Sequence, residues 1–210
     1  MARFTNQAQL RYGNAVTNSN IAVGEILEVL SATKTAVRNT YGQSDTVTYI
    51  VSIVNSGTTP ITGISVTDNL GEYTFGTTTL VPLTYIDGTV KYYVNGVLQP
   101  SAVVTAGPPL VVSGITVPAG GSVTVAYEAA VNEFAPLDTT SVINNTAIVA
   151  GTGITPITAE EEITVESTPV LTITKSVSPV PVTENGTLTY TFLIQNSGNV
   201  AADASTGVVV

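Results

Sequence analysis

Thr46-Val47-Thr48-Tyr49-Ile50-Val51-Ser52-Ile53-Val54, stopped by Asn55-Ser56-Gly57, decides the fold class. Polar and apolar residues alternate through it, which is the period of a half-buried β-strand, and Asn-Ser-Gly is a turn signal. Moving outward, Gly63-Ile64-Ser65-Val66-Thr67-Asp68 alternates in the same way, and so does Ser122 to Glu128 after Gly120-Gly121. Lys91-Tyr92-Tyr93-Val94 and Val97-Leu98 flank Asn95-Gly96, the strongest two-residue hairpin signal. Val142 to Val149 and Ile163 to Val165 read as further strands. No helical period is sustained anywhere.

Composition agrees. The chain holds 35 Thr and 31 Val, both β-branched and strand-favouring. Strands spaced at roughly 8–12 residues with turns between them predict an all-β, immunoglobulin-like β-sandwich. With no Cys, His or Trp, zinc fingers, iron–sulfur sites, catalytic thiols, disulfides and Ser-His-Asp chemistry are excluded. Six basic residues against 15 acidic ones, net −9, make a poor nucleic-acid binder. No cofactor and no metal site is expected: no loop has calcium-ligand spacing, those with Asp45 and Asp87-Gly88 included. No stretch is long and apolar enough for membrane insertion. Met1 to Val16 has no apolar run and no cleavage pattern, so no ordinary secretory signal is visible. Either a signal was removed or release follows another route, such as lysis of the producing cell.

An internal repeat organises the chain. Leu30-Ser-Ala-Thr-Lys34 followed by Asp45-Thr-Val-Thr-Tyr49 and Asn55-Ser-Gly57 returns as Leu171-Thr-Ile-Thr-Lys175, Gly186-Thr-Leu-Thr-Tyr190 and Asn196-Ser-Gly198, each 141 residues later. Gly207 to Val210 then matches Gly63 to Val66 after three extra residues. A weaker echo sets Phe4-Thr-Asn6-Gln-Ala8-Gln-Leu10 against Ile143-Asn-Asn145-Thr-Ala147-Ile-Val149, with acidic strands Gly24–Glu28 and Glu161–Val165 following. The expected organisation is a closing-strand-like extension at 1–24, a complete sandwich at 25–166, and the start of a second sandwich at 167–210. An open sheet edge attracts a strand from another chain, so head-to-tail self-association by strand exchange is expected. The alternative is a chain that continues beyond residue 210.

The order Thr33-Lys34-Thr35, Asp45-Thr-Val-Thr-Tyr49-x-Val51, Asn55-Ser-Gly57, Val66-Thr-Asp68-Asn-Leu70 and Asn145-Thr-Ala147-x-Val149 resembles the conserved-repeat domain of bacterial and archaeal surface proteins, the "domain of unknown function eleven". The resemblance spans residues 28–150 fully and 168–210 in part. It departs where Leu70-Gly-Glu-Tyr73 replaces the usual Leu-Pro-x-Gly and where Tyr92 to Gly96 adds a hairpin. The family implies immunoglobulin-type sandwiches used as stalks and fibres and no catalysis on a substrate; an extracellular, cell-surface or spore-surface place is expected, the lack of a visible secretory signal favouring a spore or lysis-released assembly.

Gram-positive adhesin domains of similar appearance carry an isopeptide bond between a first-strand lysine and a last-strand asparagine, assisted by a buried acid. The residues matching that set are Lys34, Asp68 and Asn145. Burial disfavours the charged amine and makes it nucleophilic, and a carboxylic acid can shuttle protons while packing supplies proximity. The plain alternative is an exposed strand lysine, a turn-capping Asp68 and a backbone-bonded Asn145. By the repeat, Asn6 matches Asn145 and Lys175 matches Lys34, so an intersubunit bond between Asn6 and Lys175 is the corresponding expectation; Lys175 lacks an acid equivalent to Asp68 within these residues. Glu160-Glu161-Glu162 reads as a solvated strand end or linker, Gly151-Thr-Gly153 as a turn, and Pro108-Pro109 and Pro179-Val-Pro181 as loops or edges. Tyr85, Tyr92 and Tyr93 read as cross-strand packing rather than a glycan platform. The reading is a fibre subunit; its rival is an adhesin module presenting long loops at residues 71–118.

Overall fold

The structure, a computed structural model, describes residues 2–26, 28–100 and 102–202. Leu27, in the expected acidic strand, and Gly207 to Val210, in the expected repeat match, lie outside them. Twenty strands and no helix occupy the described residues.

The first four strands are β1 (Ala2–Asn6), β2 (Gln9–Tyr12), β3 (Ala15–Asn18) and β4 (Ala22–Ile26). β1 pairs antiparallel with β4, and β2 with β3, so the segment is a self-paired ribbon with its tip at Gly13 rather than one lone strand. β4 crosses the boundary expected at residue 24 because it is β1's partner.

The sandwich comprises β5 (Leu30–Ala36), β6 (Thr40–Tyr41), β7 (Thr46–Asn55), β8 (Ile61–Asp68), β9 (Tyr73–Phe75), β10 (Thr78–Leu80), β11 (Leu83–Tyr85), β12 (Lys91–Val94), β13 (Val97–Leu98), β14 (Val103–Thr105), β15 (Leu110–Val117), β16 (Ser122–Val131), β17 (Val142–Ala150) and β18 (Ile157–Val165). One sheet runs β13-β12-β16-β7-β5, with β11 sharing the β12 edge of β16; the other runs β14-β15-β8-β17-β18-β6. Alternation builds the core: Val47, Tyr49, Val51 and Ile53 from β7 and Val123, Val125, Tyr127 and Ala129 from β16 are buried, as are Ile143, Ala147 and Val149 from β17. Asn95 and Gly96 both have positive φ and close the β12–β13 hairpin, as the dipeptide predicts.

Two expectations change. Residues 71–118 are mostly strand, β9 to β15, which leaves no long loops there. Glu160 to Glu162 lie inside β18, paired with β17, instead of at a strand end; the neighbours on either side supply enough β-branched and apolar residues to carry the three acids through. Tyr85 is buried in the core, while Tyr92 and Tyr93 are half-buried on opposite faces of β12.

A last hairpin, β19 (Leu171–Ser178) and β20 (Thr189–Asn196), follows the sandwich. Its register repeats that of β5 and β7: Leu30 faces Asn55 and Lys34 faces Val51, as Leu171 faces Asn196 and Lys175 faces Phe192. The N-terminal ribbon does the same for the end of the sandwich. Phe4 faces Gly24 and Asn6 faces Ala22, as Ile143 faces Ile163 and Asn145 faces Glu161, all 139 residues apart. The register sets Gly24 against Ile163, two residues away from the sequence alignment. In the sandwich these faces are core. In the hairpins Phe4, Ile173, Tyr190 and Phe192 are more than half exposed, at 55%, 59%, 52% and 51%.

Asn55 shows why the Asn-Ser-Gly turns recur. Its Nδ2 donates to the Thr59, Pro118 and Val117 carbonyls at 2.9, 3.1 and 3.4 Å, and its Oδ1 accepts from Gly57 N–H at 2.9 Å. Asn196 repeats the turn bonds to Val200 and Gly198 in an exposed setting. Asn55→Ala is expected to cost about 2–3 kcal/mol, because it strands buried backbone groups. Asn196→Ala is expected to leave the urea midpoint of the sandwich unchanged; equal shifts from both variants would contradict this account.

Candidate functional site, a buried lysine, carboxylate, tyrosine and asparagine

Four polar side chains meet between the sheets, each delivered by strand alternation. Lys34 follows Leu30 and Ala32 on the inward face of β5, and Asp68 follows Ile64 and Val66 on that of β8. Tyr127 follows Val123 and Val125 on β16, and Asn145 sits between Ile143 and Ala147 on β17. β5 and β16 belong to one sheet, β8 and β17 to the other. The cluster therefore bridges the sandwich, and Lys34 and Asp68 are 4% and 1% exposed, Asn145 fully buried.

The contacts form a short chain. Lys34 Nζ lies 2.5 Å from Asp68 Oδ2. Tyr127 O–H donates to the same Oδ2 at 2.6 Å, and Asn145 Nδ2 donates to the Tyr127 oxygen at 3.1 Å. Asn145 Oδ1 accepts from Gly71 N–H at 3.2 Å. Asp68 Oδ1 accepts from Leu70 N–H at 3.0 Å, so this residue caps its turn and also pairs with the lysine. Tyr49 stacks on Tyr127 with ring centroids 5.6 Å apart, and Lys34 Nζ lies 4.9 Å from the Tyr49 ring centre.

Leu70 and Gly71 hold the turn above the cluster with φ of 55° and 74°. Positive φ in a buried leucine is a strained conformation, kept where the surroundings demand it. A side chain at Gly71 would place its Cβ 2.6 Å from Ile143 Cγ2. Glycine is thus needed for the amide to approach Asn145.

Electrostatics follow from burial. Desolvation pulls the Lys34 pKa from 10.5 down to about 8, with Asp68 pulling part of the way back up. Burial thus favours the neutral, nucleophilic form of this amine more than that of a free lysine. Desolvation, followed by the nearby Asp68, raises the Tyr127 phenol well above 10.

The structure thus places Lys34, Asp68 and Asn145 in one cluster. It does not join Asn6 to Lys175: each sits on its own hairpin, and Lys175 Nζ covers the Tyr190 and Phe192 rings at 4.4 and 5.4 Å. Lys175 over Tyr190 repeats Lys34 over Tyr49. Three participants were missed in the sequence: Tyr127, Gly71 and Glu161. A phenol at a core-facing position of β16 needs a partner, which was the available signal for Tyr127. Glu161 is half-buried on the inward face of β18 opposite Asn145 and acts on Lys34 electrostatically. Among the described residues no group of acids is arranged to hold a metal. Among the same residues no helix is long and apolar enough to cross a membrane.

No family model matches the chain, and no curated protein matches it in sequence. Solved structures do. The major pilin subunit BcpA of Bacillus cereus is similar at a TM-score of 0.51 and 9% identity, over 94% of this chain and 64% of that one. The major pilin SpaD of Corynebacterium diphtheriae gives 0.49 and 16%, over 76% and 40%. The chain spans less than two thirds of either. The first likeness establishes the immunoglobulin-like sandwich fold.

The lysine shift has a testable sign. In Asn145→Ala, where no bond to Lys34 can form, the unfolded chain holds a proton that the folded chain releases above about pH 8. Unfolding free energy is therefore expected to rise between pH 8 and 10, by on the order of 1–3 kcal/mol, and to be flat in this respect below pH 8. The buried tyrosines act oppositely above pH 10. Urea titrations across this range that show no rise would place Lys34 in solvent.

Proposed function

We propose that the chain is a structural subunit of an extracellular or surface fibre. Its sandwich is locked by an isopeptide bond between Lys34 and Asn145. The buried Lys34–Asp68–Tyr127–Asn145 cluster is the observation that carries this reading. An ion pair inside a sandwich costs several kcal/mol of desolvation and stabilises poorly for its expense. Its residues are those a transamidation needs: an amine of lowered pKa, a proton carrier and a carboxamide. The fold likeness to a pilin and the resemblance to the conserved-repeat surface domains support the same assignment. Closing a loop of roughly 110 residues stabilises by about 4–5 kcal/mol in the chain-entropy account, a staple for a chain with no cysteine.

The terminal hairpins extend the reading. Both carry faces that are core in the sandwich, held in the same registers. Joining the N-terminal ribbon of one copy to the C-terminal hairpin of another would cover both and bring Asn6 toward Lys175. Such a heterologous contact propagates as a filament.

Intact mass and electrophoresis after boiling in detergent test both levels. A chain lighter by one ammonia is expected, with Lys34→Ala and Asn145→Ala at full mass. A wild-type chain at full mass sinks the internal bond. A ladder of subunit multiples is expected from fibres, and Lys175→Ala should remove it; fibres equally resistant without Lys175 rule out the intersubunit bond.

A further inference from the structure

We infer that Tyr127 and the Gly71 backbone amide form the second half of the reactive centre: Tyr127 passes a proton to the departing nitrogen of Asn145, and Gly71 N–H stabilises the oxygen. This rests on the Lys34–Asn145 bond proposed above and assigns roles to groups beyond the lysine, acid and asparagine.

The orientation of the Asn145 amide is decided by its neighbours. Gly71 N–H can only donate, so the atom it meets at 3.2 Å is the amide oxygen. Tyr127 has committed its proton to Asp68 Oδ2 at 2.6 Å, so its lone pair receives the amide nitrogen at 3.1 Å. The leaving nitrogen therefore faces the phenol, and the carbonyl oxygen faces a fixed backbone dipole. That N–H is shared with Asn69 Oδ1 at 3.0 Å, which holds the turn in place. Asp68 makes no hydrogen bond to the amide; its Oδ2 bonds Lys34 and Tyr127. The acid thus reaches the leaving group through the tyrosine.

The step balances. Lys34 gives one ammonium proton to Asp68, and its freed lone pair attacks Asn145 Cγ. The carbonyl π pair moves onto Oδ1, where Gly71 N–H receives the charge. Asp68 passes its proton to the Tyr127 oxygen as Tyr127 gives its own to Nδ2. Asp68 then takes a proton from the new cationic nitrogen, the oxyanion collapses, the Cγ–Nδ2 bond breaks and ammonia leaves. One amide replaces another and no oxidant or cofactor is required. Burial keeps the phenol protonated, so it relays in concert and does not ionise. General acid catalysis of this kind contributes about 100-fold or more, and an oxyanion donor about as much.

Tyr41 supplies a control for the loss of a buried hydroxyl. It is fully buried in the same core, yet its hydroxyl donates to the Pro136 carbonyl at 2.6 Å rather than to Asp68 or Asn145. Full-length chain is synthesised without cells and its intact mass followed over time for wild type, Tyr127→Phe and Tyr41→Phe. Tyr127→Phe is expected to lose ammonia about 100-fold more slowly than wild type, and Tyr41→Phe at the wild-type rate. A Tyr127→Phe chain that closes at the wild-type rate, or two variants slowed equally, overturns the relay. If Lys34→Ala meanwhile keeps its ammonia, the bond itself stands. A wild-type chain that never loses ammonia removes bond and relay together. Should Tyr127→Phe fail to give the wild-type near-ultraviolet circular dichroism, 3-fluorotyrosine at position 127 keeps the hydroxyl and makes it more acidic. The relay requires a changed rate and pH profile of closure; an unchanged profile overturns it.

Discussion

The Lys34–Asp68 contact sets the terms for the rest of the sandwich. Two opposite charges sit between apolar sheets, where each ion loses several kcal/mol of hydration. Only a closed set of partners makes that tolerable, and the set is small: the Tyr127 hydroxyl, the Leu70 amide and the ring of Tyr49. Removing any one leaves charge or dipole uncompensated in a low-dielectric interior. The strained turn at Leu70 and Gly71 is explained in the same way, since it aims two backbone amides into the cluster. An apolar core of equal volume would stabilise the fold at least as well.

The same logic reaches the ends of the chain. The terminal hairpins keep the registers of the sandwich strands they repeat, including the aromatic ring under the lysine and the asparagine that caps the turn. Hairpin register is set locally, by the turn and by alternation, so it survives without the opposing sheet. What a hairpin cannot do alone is dry its inner face. Phe4, Ile173 and Phe192 remain wet where their counterparts in the sandwich are buried.

Much of this was legible beforehand, for physical reasons. Alternation in Thr46 to Val54 is a direct consequence of strand geometry, so it identifies both the strand and its inner residues. The repeat placed Lys34 and Lys175 in one structural position. Misreadings came where local signals were weak or long-range pairing prevailed. Glu160 to Glu162 look like a solvated end, yet pairing with β17 carries them through the strand. Outside the Asn95-Gly96 hairpin, residues 71–118 look like loops because most of their strands are only two to four residues long. The ribbon at residues 2–26 looked like one strand because nothing local reveals that Ala22 pairs back to Asn6.

By itself, then, the amino-acid sequence determined the all-β class, the repeat and the three residue types that suit an amide-forming site. Those follow from properties that act over one to ten residues: side-chain alternation, turn chemistry and composition. Tertiary structure alone decided that Lys34 and Asn145, on different sheets, are linked through Asp68 and Tyr127. Those facts depend on how two twisted sheets stack and in which register their inner faces meet. No local pattern encodes that, because it is settled by packing the whole core at once.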